Sequence, residues 1–192
     1  VGFDFGNDTA PAVGDWEGDG DLDFFVGASN GTMKIFENMG TRYTMNLTDR
    51  SANFALYSVN WTDITHPYPA LGDYTGDGKA DLAVGNGETG VIRLASSTGD
   101  FTGRDSPPVD YDIDTGSGSA IPAIGDVNND NTNELVVLLA DGSVRAYAHT
   151  GNASAPYSEM AYTNVDIGQT IPDATGISIA DINNDRCTDI LA

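Results

Sequence analysis

The sequence predicts an all-β protein made of β-propeller blades, each a four-stranded antiparallel sheet. An acidic segment recurs four times, an apolar run follows each copy, and stretches with helical periodicity are absent. Repeat units of about 40–60 residues with four short strands each are typical of propeller blades. A β-sandwich would not repeat the same loop at one strand junction, so blades explain the pattern better.

The four acidic copies align without gaps and define the domain organisation. They begin at Asp15, Asp73, Asp126 and Asp181, which lie 58, 53 and 55 residues apart. Residues 1–192 are therefore interpreted as a single partial propeller with units at about 10–65, 66–118, 119–173 and a truncated 174–192. This amounts to about three and a half blades, and a closed ring needs at least four. We expect a fragment or the ordered part of a longer polypeptide, or other chains that complete the structure.

Each copy leads into the same series of strands. An apolar run comes first, then a turn, an alternating strand and a last, more variable strand, a pattern that indicates antiparallel hairpins. The apolar runs are residues 24–26, 82–84, 135–138 and 190–191. Examples of the alternating strand are residues 32–36 and 143–147, and residues 43–47 are an example of the last strand.

The acidic segments have the spacing of nine-residue metal loops. Oxygens at positions 1, 3, 5, 7 and 9 can surround one ion when Gly or Asn permits a tight turn near position 6. Such hard oxygen ligands suit Ca²⁺, whereas Zn²⁺ prefers His and Cys. Three to four Ca²⁺ ions are expected, with the seventh residue binding through its backbone carbonyl. The predicted ligands are Asp15, Glu17, Asp19, Asp21 and Asp23 in loop one; Asp73, Thr75, Asp77, Lys79 and Asp81 in loop two; Asp126, Asn128, Asp130, Thr132 and Glu134 in loop three; and Asp181, Asn183, Asp185, Cys187 and Asp189 in loop four.

An EF-hand begins with similar spacing but requires a bidentate Glu at position 12 and two flanking helices. Here the predicted flanks are strands, and the side chains at position 12 have no oxygen. These residues are Val26, Val84, Val137 and Ala192. The EF-hand interpretation therefore fails.

The charge of the chain excludes one class of partner. The formal net charge is −21, with 29 acidic residues against 8 Lys and Arg. Nucleic-acid binding needs a basic surface, so we expect none. No apolar run approaches the roughly 20 residues of a membrane-spanning helix, so no span is expected in this segment.

With its Gly-Asp entry and apolar exit, the loop pattern resembles the FG-GAP/VCBS repeats of the integrin α-subunit head and of many secreted or surface proteins. The resemblance covers essentially the whole chain. It implies a propeller, usually of seven blades, in which calcium holds the loop between blade strands on one face. It also implies an extracellular or cell-surface location, but no single activity, because proteins of many functions share this blade.

Three features that suggest catalysis are interpreted otherwise, so we expect no enzyme. Residues 27–31 match the Gly-x-Ser-x-Gly nucleophile elbow, which needs a strand-to-helix turn, whereas a strand-turn-strand position is predicted here. Residues 114–117 match the aspartic-protease signature, but no second copy supplies the partner carboxylate. His66 and His149 fall in predicted loops without a matching Ser or Cys.

Five positions fit the N-glycosylation rule and support an extracellular glycoprotein. They are Asn7, Asn30, Asn46, Asn60 and Asn152. The lone cysteine, Cys187, forms no disulfide within the chain; it either pairs outside it or is buried and reduced. Trp16 and Tyr74 share loop position 2 and are assigned to blade packing rather than to a sugar-binding surface.

Two functions remain open on the sequence alone. The first is a calcium-stiffened scaffold for adhesion, surface display or assembly, with the rest of the propeller or other chains as partners. The second is carbohydrate binding or processing, with glycans as partners.

Overall fold

The computed structural model describes residues 5, 7–54, 63–97, 99–101, 109–150, 157–159, 171, 174–184 and 188–192. Within these residues the protein is all-β apart from one helical turn, and its strands form separate small sheets. The strands are β1 Ala10–Gly14, β2 Asp23–Gly27, β3 Met33–Asn38, β4 Leu47–Asp49, β5 Pro67–Gly72, β6 Asp81–Asn86, β7 Val91–Ala95, β8 Val109–Asp114, β9 Ala120–Gly125, β10 Glu134–Leu139, β11 Val144–His149, β12 Tyr157–Glu159, β13 Ser178–Ala180 and β14 Asp189–Leu191.

Three of the sheets have four antiparallel strands in simple up-and-down order. The orders are β1-β2-β3-β4, β5-β6-β7-β8 and β9-β10-β11-β12, and β13 pairs with β14 in a two-stranded sheet. The residue before each acidic loop pairs with the ninth loop residue, as in Gly14 with Asp23 and Gly72 with Asp81. Each loop therefore closes a hairpin between the first two strands, and the predicted blade architecture is confirmed.

The second strands β6 and β10 are buried along their whole length. A short continuous apolar run is what a strand covered on both faces requires. The core lies between neighbouring sheets, where Trp16, Phe25 and Ile35 of the first sheet pack in one cluster with Leu82 and Val84 of the second.

Adjacent sheets meet through their first strands, with β1 beside β5, β5 beside β9 and β9 beside β13. A glycine at the end of β1, β5 and β9 allows this close approach. A Cβ atom placed on Gly72 would lie 2.6 Å from Ile124 Cγ2, and one on Gly125 would lie 2.9 Å from Ile179 Cγ2. Because glycine has no side chain, the same contact between a glycine and an apolar residue of the next first strand repeats from sheet to sheet.

The structure differs from the sequence-based expectation at three places. The last strand of the first sheet is Leu47–Asp49, because Thr41 and Thr44 pair in a tight turn that leaves Tyr43 exposed. A helical turn, α1 Ser51–Phe54, follows this strand and was not predicted. His149 is the last residue of β11 rather than part of a loop.

Among the described residues, no helix has both the length and the apolar character needed to cross a membrane.

Candidate metal centre

In loop one, the carboxylate at position 1 holds the backbone in a tight turn. Asp15 Oδ1 accepts the N–H groups of Gly18 at 2.8 Å and Asp19 at 3.0 Å, and Oδ2 accepts that of Gly20 at 2.9 Å. Loops two and three repeat the bonds from positions 5 and 6, with Asp73 and Asp126 as the acceptors. The repeated acid is therefore a backbone organiser in each of these loops.

Two left-handed residues make this turn possible. Position 4 has φ values of +79° at Gly18, +79° at Gly76, +62° at Asn129 and +60° at Asn184. Position 6 has values of +93° at Gly20, +88° at Gly78 and +67° at Asn131. Gly adopts this conformation freely and Asn tolerates it. The sequence reasoning anticipated the turn at position 6 but missed position 4, although every copy carries Gly or Asn there.

The acid at position 9 is buried in loops one to three, with Asp23, Asp81 and Glu134 at most 1% exposed. In all four loops this carboxylate accepts the N–H of position 2 in its own loop, at 2.9–3.1 Å. Burial raises the pKa of Asp81 to about 6, although hydrogen bonds from the Ser97 and Thr75 backbone act in the opposite direction and lower it. Burial also raises the pKa of Glu134. The ninth residue therefore places negative charge inside the protein.

Loop one has the clearest need for a positive ion. Glu17 Oε2 and Asp21 Oδ1 are buried and have no hydrogen-bond partner among the described residues, and Asp21 is only 4% exposed. Burial, together with the hydrogen bond and negative charge of Asp23, raises the pKa of Glu17 to about 9. Burial likewise raises the pKa of Asp21 and of Asp23. Buried acceptors that lack donors are costly, and a hard cation would satisfy them.

Asp21 differs from its predicted role in one respect. The sequence assigned only its backbone carbonyl to the metal, whereas its side chain is the buried group and hydrogen-bonds with Asn38. In loops two and three position 7 is Lys79 and Thr132, which supply no such carboxylate.

The remaining predicted ligands are not gathered around a point. Among the described residues, no three Asp, Glu, His or Cys side chains are placed to hold a metal ion as they stand. The carboxylates at position 5, Asp19, Asp77 and Asp130, instead accept the N–H of position 7 in their own loops at 2.8–3.0 Å. Thr75 and Asn128 are exposed. Ion binding would thus require these exposed side chains to turn inward around an already folded backbone.

Loop four is described only in part. Asp181 and Asn183 are exposed and Asp189 accepts the N–H of Ile182, whereas Asp185 and Cys187 lie outside the described residues. The predicted state of the cysteine therefore stays a prediction.

Two residues that support the loops were missed by the sequence reasoning. The N–H groups of Asn38 and Ser97 donate to Asp23 Oδ1 at 2.9 Å and Asp81 Oδ1 at 2.8 Å, respectively. Asn38 is the last residue of β3 and Ser97 lies just beyond β7, and each is two residues past the strand partner of loop position 10. Extending the repeat alignment to this position would have shown a small polar residue there in both units.

The other features noted in the sequence lie outside the four acidic segments. Residues 27–31 begin at the last residue of β2 and continue into the turn before β3. Asp114 ends β8 and accepts the N–H of Gly116, so residues 114–117 form a turn. His66 Nδ1 lies 3.3 Å from Glu88 Oε1, and the His149 ring lies near that of Tyr74.

The predicted packing role of position 2 agrees with the burial of two side chains, because Trp16 is fully buried and Tyr74 is 4% exposed. Ile182, at the same position of loop four, is exposed. Among the sequons, Asn7, Asn30 and Asn46 are exposed, whereas Asn60 and Asn152 lie outside the described residues.

Comparison with known proteins bears on the repeat as a whole. The profile of a family described as FG-GAP-like repeat matches residues 15–84, 73–137 and 126–192. No curated protein sequence matches the chain. Each profile match begins at the first acid of one loop and ends in or directly after the strand that follows the next loop, so each match spans two successive acidic loops. The matches together span residues 15–192, and the chain belongs to the FG-GAP-like repeat family.

Proposed function

We propose that this chain is an extracellular calcium-binding β-propeller module with a structural role in adhesion or assembly, and that it is not an enzyme. Calcium binding is supported by two buried oxygens of loop one, Glu17 Oε2 and Asp21 Oδ1, which have no hydrogen-bond partner in the part of the chain that the structure describes. All the predicted ligands except Lys79 and Cys187, which offer only their carbonyls, have side-chain oxygen donors, as Ca²⁺ prefers. Bound calcium would supply positive charge that joins the two ends of each hairpin loop.

Calorimetry and thermal melting test this proposal directly. We expect CaCl₂ to raise Tm relative to chelator, because an ion that binds only the folded state stabilises it by mass action. Glu17→Gln should reduce the calcium-dependent part of the shift, whereas Glu88→Gln, in an exposed turn of the second sheet, should leave it unchanged. A Tm that is the same in calcium and chelator would reject the calcium-binding role.

An assembly role is supported by the first strand of the first sheet. Val13 is 48% exposed, whereas Leu71, Ile124 and Ile179 at the corresponding positions of β5, β9 and β13 each lie against the last glycine of the preceding first strand. Val13 therefore presents the apolar contact that the other sheets use between themselves. Another blade, from the same polypeptide or from another chain, would fit there.

Sedimentation velocity over a range of concentrations tests whether copies of this chain supply that blade. If they do, Val13→Asp should reduce self-association, because it places a charge in an apolar contact. Tyr43→Asp, at an exposed turn on another part of the first sheet, serves as the control. Self-association that is unaffected by Val13→Asp would argue against this surface.

The extracellular location is supported by the exposure of three sequons. Asn30 Oδ1 accepts both the N–H and the Oγ–H of Thr32 at 3.0 and 2.6 Å, so this sequon lies in an ordered surface turn. Expression through a eukaryotic secretory pathway should yield a protein whose mass falls on enzymatic removal of N-glycans. An unmodified secreted protein would count against the glycoprotein assignment.

Carbohydrate binding is the second candidate, and one cavity favours it. A cavity of about 240 Å³ lies among the starts of the first strands, and none of its lining residues is charged. Tyr68, Pro11 and Pro122 offer flat apolar surfaces, and Thr9 and Thr175 offer hydroxyl groups. In so acidic a chain, an uncharged cavity suits a neutral sugar. A glycan array with wild type and Tyr68→Ala distinguishes the functions, since specific binding lost in the variant would favour carbohydrate recognition.

A further inference from the structure

Successive acidic loops are joined directly by hydrogen bonds. The N–H of Ala80 in loop two donates to the Asp15 carbonyl in loop one at 2.8 Å. Asn133 Nδ2 in loop three donates to the Asp73 carbonyl in loop two at 2.7 Å. In both pairs the donor residue is at position 8 and the acceptor is at position 1 of the preceding loop. The same link is therefore made twice, once by a main-chain donor and once by a side-chain donor.

Further contacts strengthen the junction between loops one and two. Ser97 Oγ donates to the Trp16 carbonyl in loop one at 2.5 Å, and the Ser97 N–H donates to Asp81 in loop two at 2.8 Å. The Lys79 side chain lies over loop one, since a Cβ placed on Gly18 would be 3.3 Å from Lys79 Cγ. The two loops therefore share a buried junction rather than lying side by side through solvent.

The hydrogen bond from position 8 to position 1 of the preceding loop joins two residues whose positions calcium binding would fix. Position 8 lies between the predicted carbonyl ligand at position 7 and the buried carboxylate at position 9. Position 1 carries the carboxylate around which its loop folds. An ion held in loop three would thus hold Asn133 in place, and Asn133 in turn would hold the Asp73 peptide of loop two.

We propose that Asn133 is a positioning residue for the metal loop of the preceding repeat and that neighbouring loops bind calcium in a coupled manner. This inference rests on the proposed calcium binding. Coupling between two sites is reciprocal, so each loop should raise the affinity of the other by the same factor. A single hydrogen bond of this kind would change affinity by about two- to tenfold.

Backbone amides at position 6 provide a separate reporter for each of loops one to three. Gly20, Gly78 and Asn131 each donate to the carboxylate at position 1 of their own loop. Their ¹⁵N–¹H signals during titration with CaCl₂ give a half-saturation concentration for each loop. The proteins compared are wild type, Asp130→Asn, Asn133→Ala and the double variant.

Asp130→Asn, which weakens the ligand set of loop three, should raise the half-saturation concentration at Gly78 in loop two by about two- to tenfold. Asn133→Ala should raise the half-saturation concentration at Gly78 by a similar factor. The double variant should raise it little further, because both changes interrupt the same coupling through the hydrogen bond from Asn133 to the Asp73 carbonyl. An Asp130→Asn effect at Gly78 that persists in full without Asn133, or no effect at all, would overturn the inference.

Three controls keep the result specific. Among the described hydrogen bonds Asn133 contacts loop two and not loop one, so the Gly20 midpoint should move less than the Gly78 midpoint in every variant. Asn30→Ala removes an asparagine whose side-chain oxygen accepts the N–H and Oγ–H of Thr32 in the turn before β3, and it should leave all midpoints unchanged. Asn133→Leu keeps a similar side-chain size without the donor and without added charge, and should reproduce Asn133→Ala if the latter folds poorly. If no amide responds to calcium in the wild type, the proposed function itself fails.

Discussion

At the residue scale, the buried acid at position 9 shows how one side chain serves two needs. Asp81 accepts three backbone N–H groups, from Tyr74, Thr75 and Ser97, at 2.8–3.0 Å. These bonds join the start of loop two to the end of the third strand. The same carboxylate is the predicted last ligand of the loop, so one group both accepts the backbone hydrogen bonds and supplies negative charge for the predicted metal ion.

Replacement of this acid should therefore be costly. Asp81→Asn leaves one side-chain oxygen for three N–H donors and places an NH₂ group opposite an N–H. We therefore expect the free energy of unfolding, measured in the presence of calcium, to fall by about 1–3 kcal/mol. Urea denaturation measures it. Asp141→Asn, in the exposed turn before β11, should change stability by less than about 0.5 kcal/mol. Equal effects from the two variants would contradict the proposed role of the buried carboxylate.

The metal-free protein should become less stable as the pH rises. Folding raises the pKa of Asp81 from 3.8 to about 6 and that of Glu17 from 4.5 to about 9, so these groups favour the folded state fully only at low pH. Asp63 acts oppositely, because its hydrogen bonds to Arg93 lower its pKa, and its contribution is lost as the pH falls below 3.8. Stability in chelator should therefore be greatest near pH 4.

Urea denaturation in chelator across this pH range is the measurement. We expect a decline from about pH 4 to about pH 9, and Glu17→Gln should reduce its alkaline part. Calcium should flatten the decline, because it competes with protons for the same oxygens. A metal-free protein most stable at alkaline pH would show that these acids are not buried as described.

At the element scale, the strands are arranged by contacts that local patterns do not reveal. Each four-stranded sheet is predictable from its apolar runs and turns. The spacing between sheets depends instead on Gly14, Gly72 and Gly125, which face Leu71, Ile124 and Ile179 of the next first strand. One small residue per unit thus determines how closely the sheets approach.

A methyl group at this contact should separate two sheets. Gly72→Ala would place Cβ 2.6 Å from Ile124 Cγ2, so we expect destabilisation by about 1–3 kcal/mol from overpacking. Gly118→Ala is the matched control, because its Cβ position has no atom within 4 Å among the described residues other than its chain neighbours. Thermal and urea denaturation of both variants test the contact, and a neutral Gly72→Ala would show that the sheets can move apart freely.

At the scale of the whole molecule, the charge is the dominant property. A net charge of −21 in 192 residues opposes compact folding unless counter-ions reduce the repulsion. Each bound calcium ion would offset two of these charges within the loops where the acids are concentrated. Folding, ion binding and solubility are therefore linked through the same side chains.

Sodium chloride should consequently stabilise the metal-free protein. In chelator we expect Tm to rise with NaCl concentration, because screening weakens repulsion between the acids. In saturating calcium the rise should be smaller, since part of the repulsion is already removed. Calorimetric scans across salt concentrations in chelator and in calcium provide the comparison. An identical salt dependence of Tm in the two conditions would show that calcium does not reduce the repulsion between the acids.

Much of this architecture could be predicted from local pattern. The turns at Gly20 and Gly78, the apolar second strands and the four-stranded sheets all follow from spacing and residue type over ten to twenty residues. The short last strand could not, because residues 43–47 alternate like a strand while the pairing of Thr41 with Thr44 makes a turn there. Nothing in a local window shows which of two hydrogen-bonding arrangements neighbouring residues will complete.

The sequence by itself determined the repeat, the all-β class and the positions of the acidic loops, because hydrophobic alternation and turn residues act over short distances along the chain. Only the tertiary structure decided that the Asp21 side chain is buried, that Ser97 supports two loops and that Asn133 reaches the Asp73 carbonyl. These contacts join residues from different strands or sheets. They depend on how closely the sheets pack, which is a property of the assembled core.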